Sequence, residues 1–337
     1  MSRYNEFTKD DKRDAIRAFS GCHNSLLIFL VVANLVAVAV SVLIPVFLGE
    51  EKAIAIIESP YFLWGTQILS MYVIGFPVFL IATRNVPRME IDKSELSFKE
   101  FFNIFLVAES CMLLGSLISQ AVASMFNVSF KINILSSISD VIIGSPLWLV
   151  ILVVVIIGPI VEEVIFRKVF IDCLSVYGYR VAILVSSIAF GLFHGNLDQL
   201  FYATMIGFVL GYVYCKTGRL IYTCLLHMIV NFFGSVPAML LADKVEELNS
   251  QLLDPAFDGV ISDDLMVVVG VLLLQYLFMI LGIGVFVVAT FKRSYSLPKE
   301  CEIRIPFFKR PRILLFNMGT LLFLAYSVLT ILLTMTV

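Results

Sequence analysis

The sequence predicts an all-α membrane protein, a bundle of about eight or nine transmembrane helices. Hydrophobic residues make up 60% of the 337-residue chain and charged residues only 15%. A soluble domain carries about 25% charged residues, because it must cover its core with a polar surface. The apolar runs are also long, and a helix of roughly 20 apolar residues crosses the hydrocarbon layer of a membrane.

Nine segments have the composition of membrane-spanning helices. We place them near residues 25–49, 61–83, 101–126, 146–171, 181–195, 198–215, 220–242, 264–291 and 313–336. The fifth is short, and Gly191, Gly195 and Asn196 at its end predict a break in the helix. The polar N-terminal stretch is too long for a signal peptide, so the first segment is expected to remain a transmembrane helix.

Lysine and arginine residues in the connections predict the orientation of the bundle. They gather in the N-terminal stretch and in every second connection along the chain. Because basic residues favour the cytoplasmic side, the N-terminus is predicted to be cytoplasmic and the C-terminus to be outside. The longest connections are expected to be charged surface loops that face solvent or lipid headgroups, near 84–100, 243–263 and 292–312.

The net charge argues against a nucleic-acid partner, and the cysteine spacing argues against disulfides and a cysteine zinc site. The formal net charge is −2, so no surface is basic enough to neutralise phosphates, and no nucleic-acid partner is expected. The six cysteines show no CxxC spacing, which argues against a disulfide framework and a cysteine zinc site. Membrane lipids are the expected surroundings of the chain.

A stripe of small residues runs along the sixth segment. Ala203, Gly207 and Gly211 recur every fourth residue, so they lie on one face of a helix. Small residues let two helix backbones approach closely in a membrane. The stripe predicts close packing against a neighbouring helix, with a homo-oligomer contact as the lesser alternative.

The fourth segment ends in "GPIVEEVIFRKVF", residues 158–170, which places charged side chains in an apolar run. An ionisable residue at membrane depth costs about 2.5–3.5 kcal/mol on insertion scales and indicates a functional site. Glu163 and Arg167 are four residues apart, in the order that favours an ion pair. Glu162 points about 100° away and has no local partner. The structural alternative is a salt bridge at the helix end, with Glu162 reaching the headgroups.

Two of the three histidines lie inside predicted membrane segments. "FGLFH" places Phe190 and His194 on one helical face, and "HMIVN" does the same for His227 and Asn231. Such polar residues are expected to point into the bundle and away from lipid. Together with a glutamate they can form a proton-transfer site or a metal site. His23 is expected to be a juxtamembrane polar residue.

Three patterns, in this order and spacing, resemble the CAAX-protease and bacteriocin-processing (Abi) family of intramembrane endopeptidases. They are E-E-x-x-x-R from Glu162, F-x-x-x-H from Phe190 and H-x-x-x-N from His227. Pro159 fits the family as well, whereas Lys168 stands where members commonly have glycine. The resemblance covers roughly a third of the chain. It divides the chain into three regions: 1–144 without an assigned motif, 145–242 resembling the catalytic core, and 243–337 with a loop and the C-terminal helices.

The resemblance implies an endopeptidase that uses a glutamate to activate water. Glu162 would be the general base, and His194 would hold the water or share its proton. His227 and Asn231 would donate hydrogen bonds to the oxyanion that develops on the peptide carbonyl.

Supporting roles follow for three other side chains. Glu163 and Arg167 would anchor the base, and Phe190 is expected to pack and not to react.

Zinc is permitted by the ligand types at Glu162, His194 and His227. These three residues lie on different segments, however, and no HExxH pair is present to preform a zinc site. A mechanism without metal or cofactor is therefore favoured, with the zinc enzyme as the alternative.

The implied substrate is a peptide or protein precursor, and the implied location is the plasma membrane of a bacterium. Family members cleave prenylated CaaX peptides or peptide leaders, and the bacterial resemblance favours a peptide precursor. Two other functions stay open: a non-enzymatic regulator or bacteriocin-immunity partner with the same fold, and a proton-coupled transporter. Against the transporter, no inverted repeat is visible.

The depths of the site residues conflict if Arg167 and Arg180 mark the membrane boundary. Glu162 would then lie about 8 Å inside it and His194 about 21 Å inside it, at 1.5 Å per residue. The two residues must share a water, so the fifth segment is predicted to be strongly tilted or to begin late. The site is predicted to be a water-accessible cavity that opens to the cytoplasm between segments four, five and seven.

Overall fold

The structure, a computed structural model, describes residues 7–125, 144–253, 262–292, 295–297, 303 and 305–336. Throughout these residues the regular elements are helices, as the composition predicts. Eight of the helices are long and apolar enough to cross a membrane. The chain is therefore a multi-pass membrane protein, and the prediction of an all-α bundle is confirmed.

Eleven helices are numbered here in chain order. They are α1 (Lys9–Leu48), α2 (Glu50–Ile57), α3 (Pro60–Ala82), α4 (Phe98–Met125), α5 (Leu147–Tyr177), α6 (Tyr179–Phe193), α7 (Leu197–Thr217), α8 (Leu220–Leu253), α9 (Asp263–Phe291), α10 (Arg310–Leu314) and α11 (Met318–Thr336). With 15 residues, α6 is shorter than the eight candidate spans, as expected for the fifth segment.

Helix α1 begins earlier than its apolar run, and helix α8 ends later than its own. A capping box starts α1 at Lys9, since the Asp11 N–H donates to Thr8 Oγ1 at 3.1 Å and the Thr8 N–H donates to Asp11 Oδ2 at 2.8 Å. At the other extreme α8 stays helical as far as Leu253. The predicted loop near 243–263 is therefore wrong over its first part, and residues 254–261 lie outside the described part of the chain.

Helices α5 to α8 form the centre of the bundle. Gly178, at φ +117°, reverses the chain between α5 and α6, a conformation that favours glycine. Ser186 Oγ on α6 then donates to the Phe166 carbonyl on α5 at 2.8 Å. On the flanks, α9 packs against α4, and α1 packs against α3 and α11.

The small-residue stripe of α7 packs within the chain. A side chain at Gly207 would meet Ser187 of α6, and one at Gly211 would meet Ile183. Ala203 is buried as well. The prediction of close helix packing is confirmed, and this stripe leaves no free face for an oligomer contact.

The connection at 84–97 binds across the ends of the central helices. Its Met89 N–H donates to the Asp172 carbonyl of α5 at 2.8 Å, and its Ser94 N–H donates to the Thr217 carbonyl of α7 at 2.9 Å. Ile91 is buried. The prediction of a charged surface loop is confirmed for most of these residues, which are exposed, while two of its main-chain N–H groups also bind the central helices. Which side of the membrane this end faces stays a prediction.

The depth conflict disappears because Arg167 does not mark a boundary. Arg167 is fully buried, and α5 continues past it to Tyr177. Along the helices Glu162 lies about 22 Å from Tyr177, and His194 lies about 22 Å from Tyr179. Measured along their own helices, the two residues lie equally far from the turn between α5 and α6, and the predicted tilt or late start of the fifth segment in the membrane stays a prediction.

Candidate active site

Four charged or polar side chains of α5 and α8 form a continuous chain of contacts. Arg167 Nε lies 3.0 Å from Glu163 Oε2, in the ion pair that the spacing predicts. Glu163 Oε1 lies 3.0 Å from His227 Nδ1, and His227 Nε2 lies 3.7 Å from Glu162 Oε2. Glu163 and Arg167 are 0% exposed, whereas the Glu162 side chain is 18% exposed. Glu162 is thus the accessible end of this series of contacts, and His227 is its neighbour on α8.

The contact with Glu163 shows that Nδ1 of His227 carries a proton. A carboxylate paired with an arginine is ionised and accepts hydrogen bonds only. His227 Nδ1–H therefore donates to Glu163, and Nε2, the other ring nitrogen, faces Glu162. The 3.7 Å separation exceeds a hydrogen bond, which leaves a gap on the Glu162 side. To donate from Nε2, His227 must carry a second proton.

His194 caps the C-terminal end of α6. Its Nδ1–H donates to the Phe190 carbonyl at 2.8 Å, because a carbonyl can only accept. Nε2 is then the nitrogen with a free lone pair. The Asn196 amide fixes the turn that follows, donating to the His194 carbonyl at 3.0 Å. His194 interacts electrostatically with both Glu162 and His227.

The Phe190 ring contacts three other side chains of the site. Its centroid lies 5.0 Å from the His194 ring and 5.6 Å from the His227 ring, both edge to face. The Arg167 guanidinium carbon lies 5.0 Å from the same centroid. A cation over an aromatic face is stabilised by the ring quadrupole. Phe190 packs, as the sequence predicts, and it also connects the two histidines, which lie on α6 and α8.

Asn231 contacts the backbone of α5. Its Nδ2 donates at 2.9 Å to the Val154 carbonyl, so one of its two amide hydrogens is committed to this bond. The second remains available to a substrate. The structure thus brings Asn231 to the same helix as Glu162, and adds a structural contact that its sequence pattern did not indicate.

His23 differs from its prediction. It is buried, with Nδ1 2.7 Å from the Phe19 carbonyl and 3.1 Å from Thr320 Oγ1 on α11. The His23 ring also packs against Phe170 of α5. It is a buried residue of the bundle and not an exposed one, and its depth in the membrane stays a prediction.

The zinc alternative depends on whether donor side chains are grouped around one point. Within the described ranges, no group of three or more His, Cys, Asp or Glu residues is arranged to hold a metal ion. One ring nitrogen of His227 is already bonded to Glu163. Lys168, the residue that departs from the family pattern, pairs with Asp172 at 2.8 Å and does not touch the site.

Sequence reasoning missed the contribution of α3. Tyr72 brings its hydroxyl close to Gly158 and to the Glu162 carboxylate. Spacing within α3 could not indicate this, because Glu162 and Gly158 lie on another helix.

Comparisons with known proteins match the part of the chain that carries the predicted site residues. Residues 144–233 match the family model described as "Type II CAAX prenyl endopeptidase Rce1-like". A relative from Bacillus subtilis (strain 168), named "Putative membrane peptidase YdiL", is 30% identical over 162 residues, which are 46% of this chain and 64% of the relative. The chain therefore aligns with less than two thirds of that relative. No solved structure matches. The resemblance to the CAAX-protease family is confirmed over this core, which contains every proposed site residue.

Proposed function

From this family resemblance we propose that the chain is an intramembrane endopeptidase in which Glu162 activates a water molecule. The observation that carries the proposal is the contact chain from Arg167 through Glu163 and His227 to Glu162. Its inner members are buried and neutralise one another, while its last carboxylate is accessible. A base that is held by buried partners and reaches open space suits general base catalysis.

The reaction begins with a water between Glu162 and the free Nε2 of His194. Glu162 accepts a proton from this water while its oxygen attacks the peptide carbonyl carbon, which gives a tetrahedral oxyanion. Glu162 then delivers the proton to the amide nitrogen, the C–N bond breaks, and the products are a carboxylate and an amine. His194 orients the water, because its Nδ1–H is fixed on the Phe190 carbonyl.

Two side chains donate hydrogen bonds to the oxyanion. Asn231 offers the amide hydrogen that Val154 does not use. His227 can donate from Nε2 only as the imidazolium, and the Glu163 carboxylate at 3.0 Å from Nδ1 would lie beside that charge. Oxyanion donors of this kind are worth about 10²–10³ in kcat each.

The substrate class we propose is a peptide or protein precursor in or at the plasma membrane. The site lies among apolar helices, so a scissile bond must enter from the membrane or from its surface. No metal is required, because the base is a carboxylate and the donors are side-chain N–H groups.

The experiment uses the purified full-length chain in lipid nanodiscs, with a quenched farnesylated CaaX peptide and a set of unprenylated leader peptides as probes. Glu162→Gln, which keeps the shape and removes the base, is expected to abolish cleavage. Glu109→Gln is the matched control, because Glu109 is another buried glutamate, on α4. The Glu109→Gln variant is expected to cleave the probes at the wild-type rate.

Native substrates are found by comparing membrane peptidomes of cells that express the wild type or Glu162→Gln. Equal cleavage by both proteins would contradict the proposal. Binding of a probe without cleavage by the wild type would favour the non-enzymatic partner instead.

A further inference from the structure

The hydroxyl of Tyr72 on α3 lies near Gly158, on the same side of that residue as Glu162 Oε1. A Cβ atom built on Gly158 would lie 3.3 Å from Tyr72 Oη and 4.0 Å from Glu162 Oε1. The two oxygens therefore flank one small space above Gly158. Tyr72 is largely shielded from solvent and interacts electrostatically with Glu162.

Local widening of both helices brings these groups together. On α5 the Gly158 N–H donates to the Val153 carbonyl, five residues back, and on α3 the Phe76 N–H donates to the Met71 carbonyl, also five residues back. A turn of this width is common at functional sites. Gly158 carries no side chain that would fill the space, so Tyr72 can approach Glu162.

The two oxygens of Glu162 thus have different neighbours. Oε2 faces His227 Nε2 at 3.7 Å, and Oε1 faces the Tyr72 side. A carboxylate that is held at neither oxygen can rotate about its last bond, which moves the basic lone pair. An ionised carboxylate accepts hydrogen bonds only, and the Tyr72 phenol, which lies on the Oε1 side, can donate one. The Gln67 amide, next to the Tyr72 hydroxyl, offers that oxygen a donor of its own.

We propose that Tyr72 is a positioning residue of this site, whose hydroxyl donates to Glu162 Oε1 directly or through one water. This bond fixes the plane of the carboxylate so that Oε2 points to His227 and to the attacking water. The assignment rests on the proposed function, in which Glu162 is the base. It gives α3, a helix outside the matched core, a place in the reaction.

The test compares two tyrosine hydroxyls in the full-length protein in nanodiscs, with the best-cleaved probe peptide. Tyr72→Phe keeps the ring, and it is expected to lower kcat about 10- to 100-fold with KM unchanged, because a misplaced catalytic group costs about that factor. Tyr214→Phe is the control, since its buried hydroxyl donates to Asp172 Oδ1 at 2.9 Å. It is expected to lower the melting temperature and to leave kcat unchanged.

A second measurement does not depend on proteolysis. Infrared difference spectra identify the Glu162 carboxylate band as the one that Glu162→Gln removes. The band is expected to shift in Tyr72→Phe and to stay in place in Tyr214→Phe. Gly158→Ala, whose methyl group would enter the space between the two oxygens, is expected to shift the band as well.

The outcomes separate the two proposals. If Glu162→Gln still cleaves, the proposed function fails, while the infrared band still reports whether Tyr72 contacts Glu162. If cleavage depends on Glu162 but Tyr72→Phe keeps its kcat, or leaves the band unmoved, the positioning role is overturned. A rise in KM without a fall in kcat would also overturn it.

Discussion

The Asn231 amide donates to the Val154 carbonyl at 2.9 Å, and this bond replaces one that α5 cannot make for itself. In the widened turn each N–H reaches the carbonyl five residues back, as Gly158 does with Val153. Pro159 is next in this series and has no N–H. The Val154 carbonyl therefore has no donor within its own helix, and Asn231 supplies one from α8.

Asn231→Ala is expected to destabilise the fold as well as to slow cleavage. A buried carbonyl left without a donor costs about 1–3 kcal/mol in the free energy of unfolding. Pro159→Ala restores an N–H that can reach Val154, so Asn231→Ala should cost less in that background. A double-mutant cycle by denaturant unfolding in detergent should give a coupling of about 1 kcal/mol. Equal losses in both backgrounds would contradict this account.

Arg167→Ala is expected to reduce the amount of folded protein sharply. It leaves the Glu163 carboxylate buried without its arginine, with only the bond from His227, and breaking a buried ion pair costs about 3–5 kcal/mol. Arg13→Ala is the control, because Arg13 pairs with Asp10 on an exposed surface at 3.4 Å, and such pairs contribute about 0–1 kcal/mol. Membrane levels and melting temperatures measure both variants. A stable, abundant Arg167→Ala protein would refute the structural role of the pair.

Phe190→Leu is expected to impair cleavage more than stability. Leucine fills much of the ring's volume but contacts neither the two imidazole rings nor the guanidinium in the same way. Phe105→Leu is the matched control, because Phe105 packs against Phe233 and Phe278 away from the site. We expect both variants to lose about 1–2 kcal/mol of stability, and only Phe190→Leu to lose about 100-fold in kcat. Similar kcat values for the two variants would show that Phe190 does not orient the histidines.

Chelation is expected to leave cleavage intact. The purified protein is treated with EDTA and then with 1,10-phenanthroline, and its zinc content is measured by mass spectrometry alongside its activity. A carboxylate base and N–H donors need no metal to polarise the carbonyl. The zinc mechanism would be established by one zinc per chain whose removal stops cleavage and whose return restores it.

The sequence predicts those parts of the site that depend on spacing within one helix. The Glu163–Arg167 pair is local, so four-residue spacing was enough to find it. The depth of Glu162 could not be found in this way, because Arg167 looks like a boundary residue unless its burial is known. The bond from Asn231 to Val154 depends on a widened turn in another helix, which periodicity does not reveal.

The connection at 84–97 also bears on what makes the matched core stable. The Asp172 carbonyl in the last turns of α5 and the Thr217 carbonyl at the end of α7 accept hydrogen bonds from the N–H groups of Met89 and Ser94, which come from the chain before that core. A fragment that began at residue 144 would expose both carbonyls, and the ends of α5 and α7 would fray. The connection at 84–97, which carries no assigned motif, therefore holds two central helices together, and the folded unit is larger than the matched core.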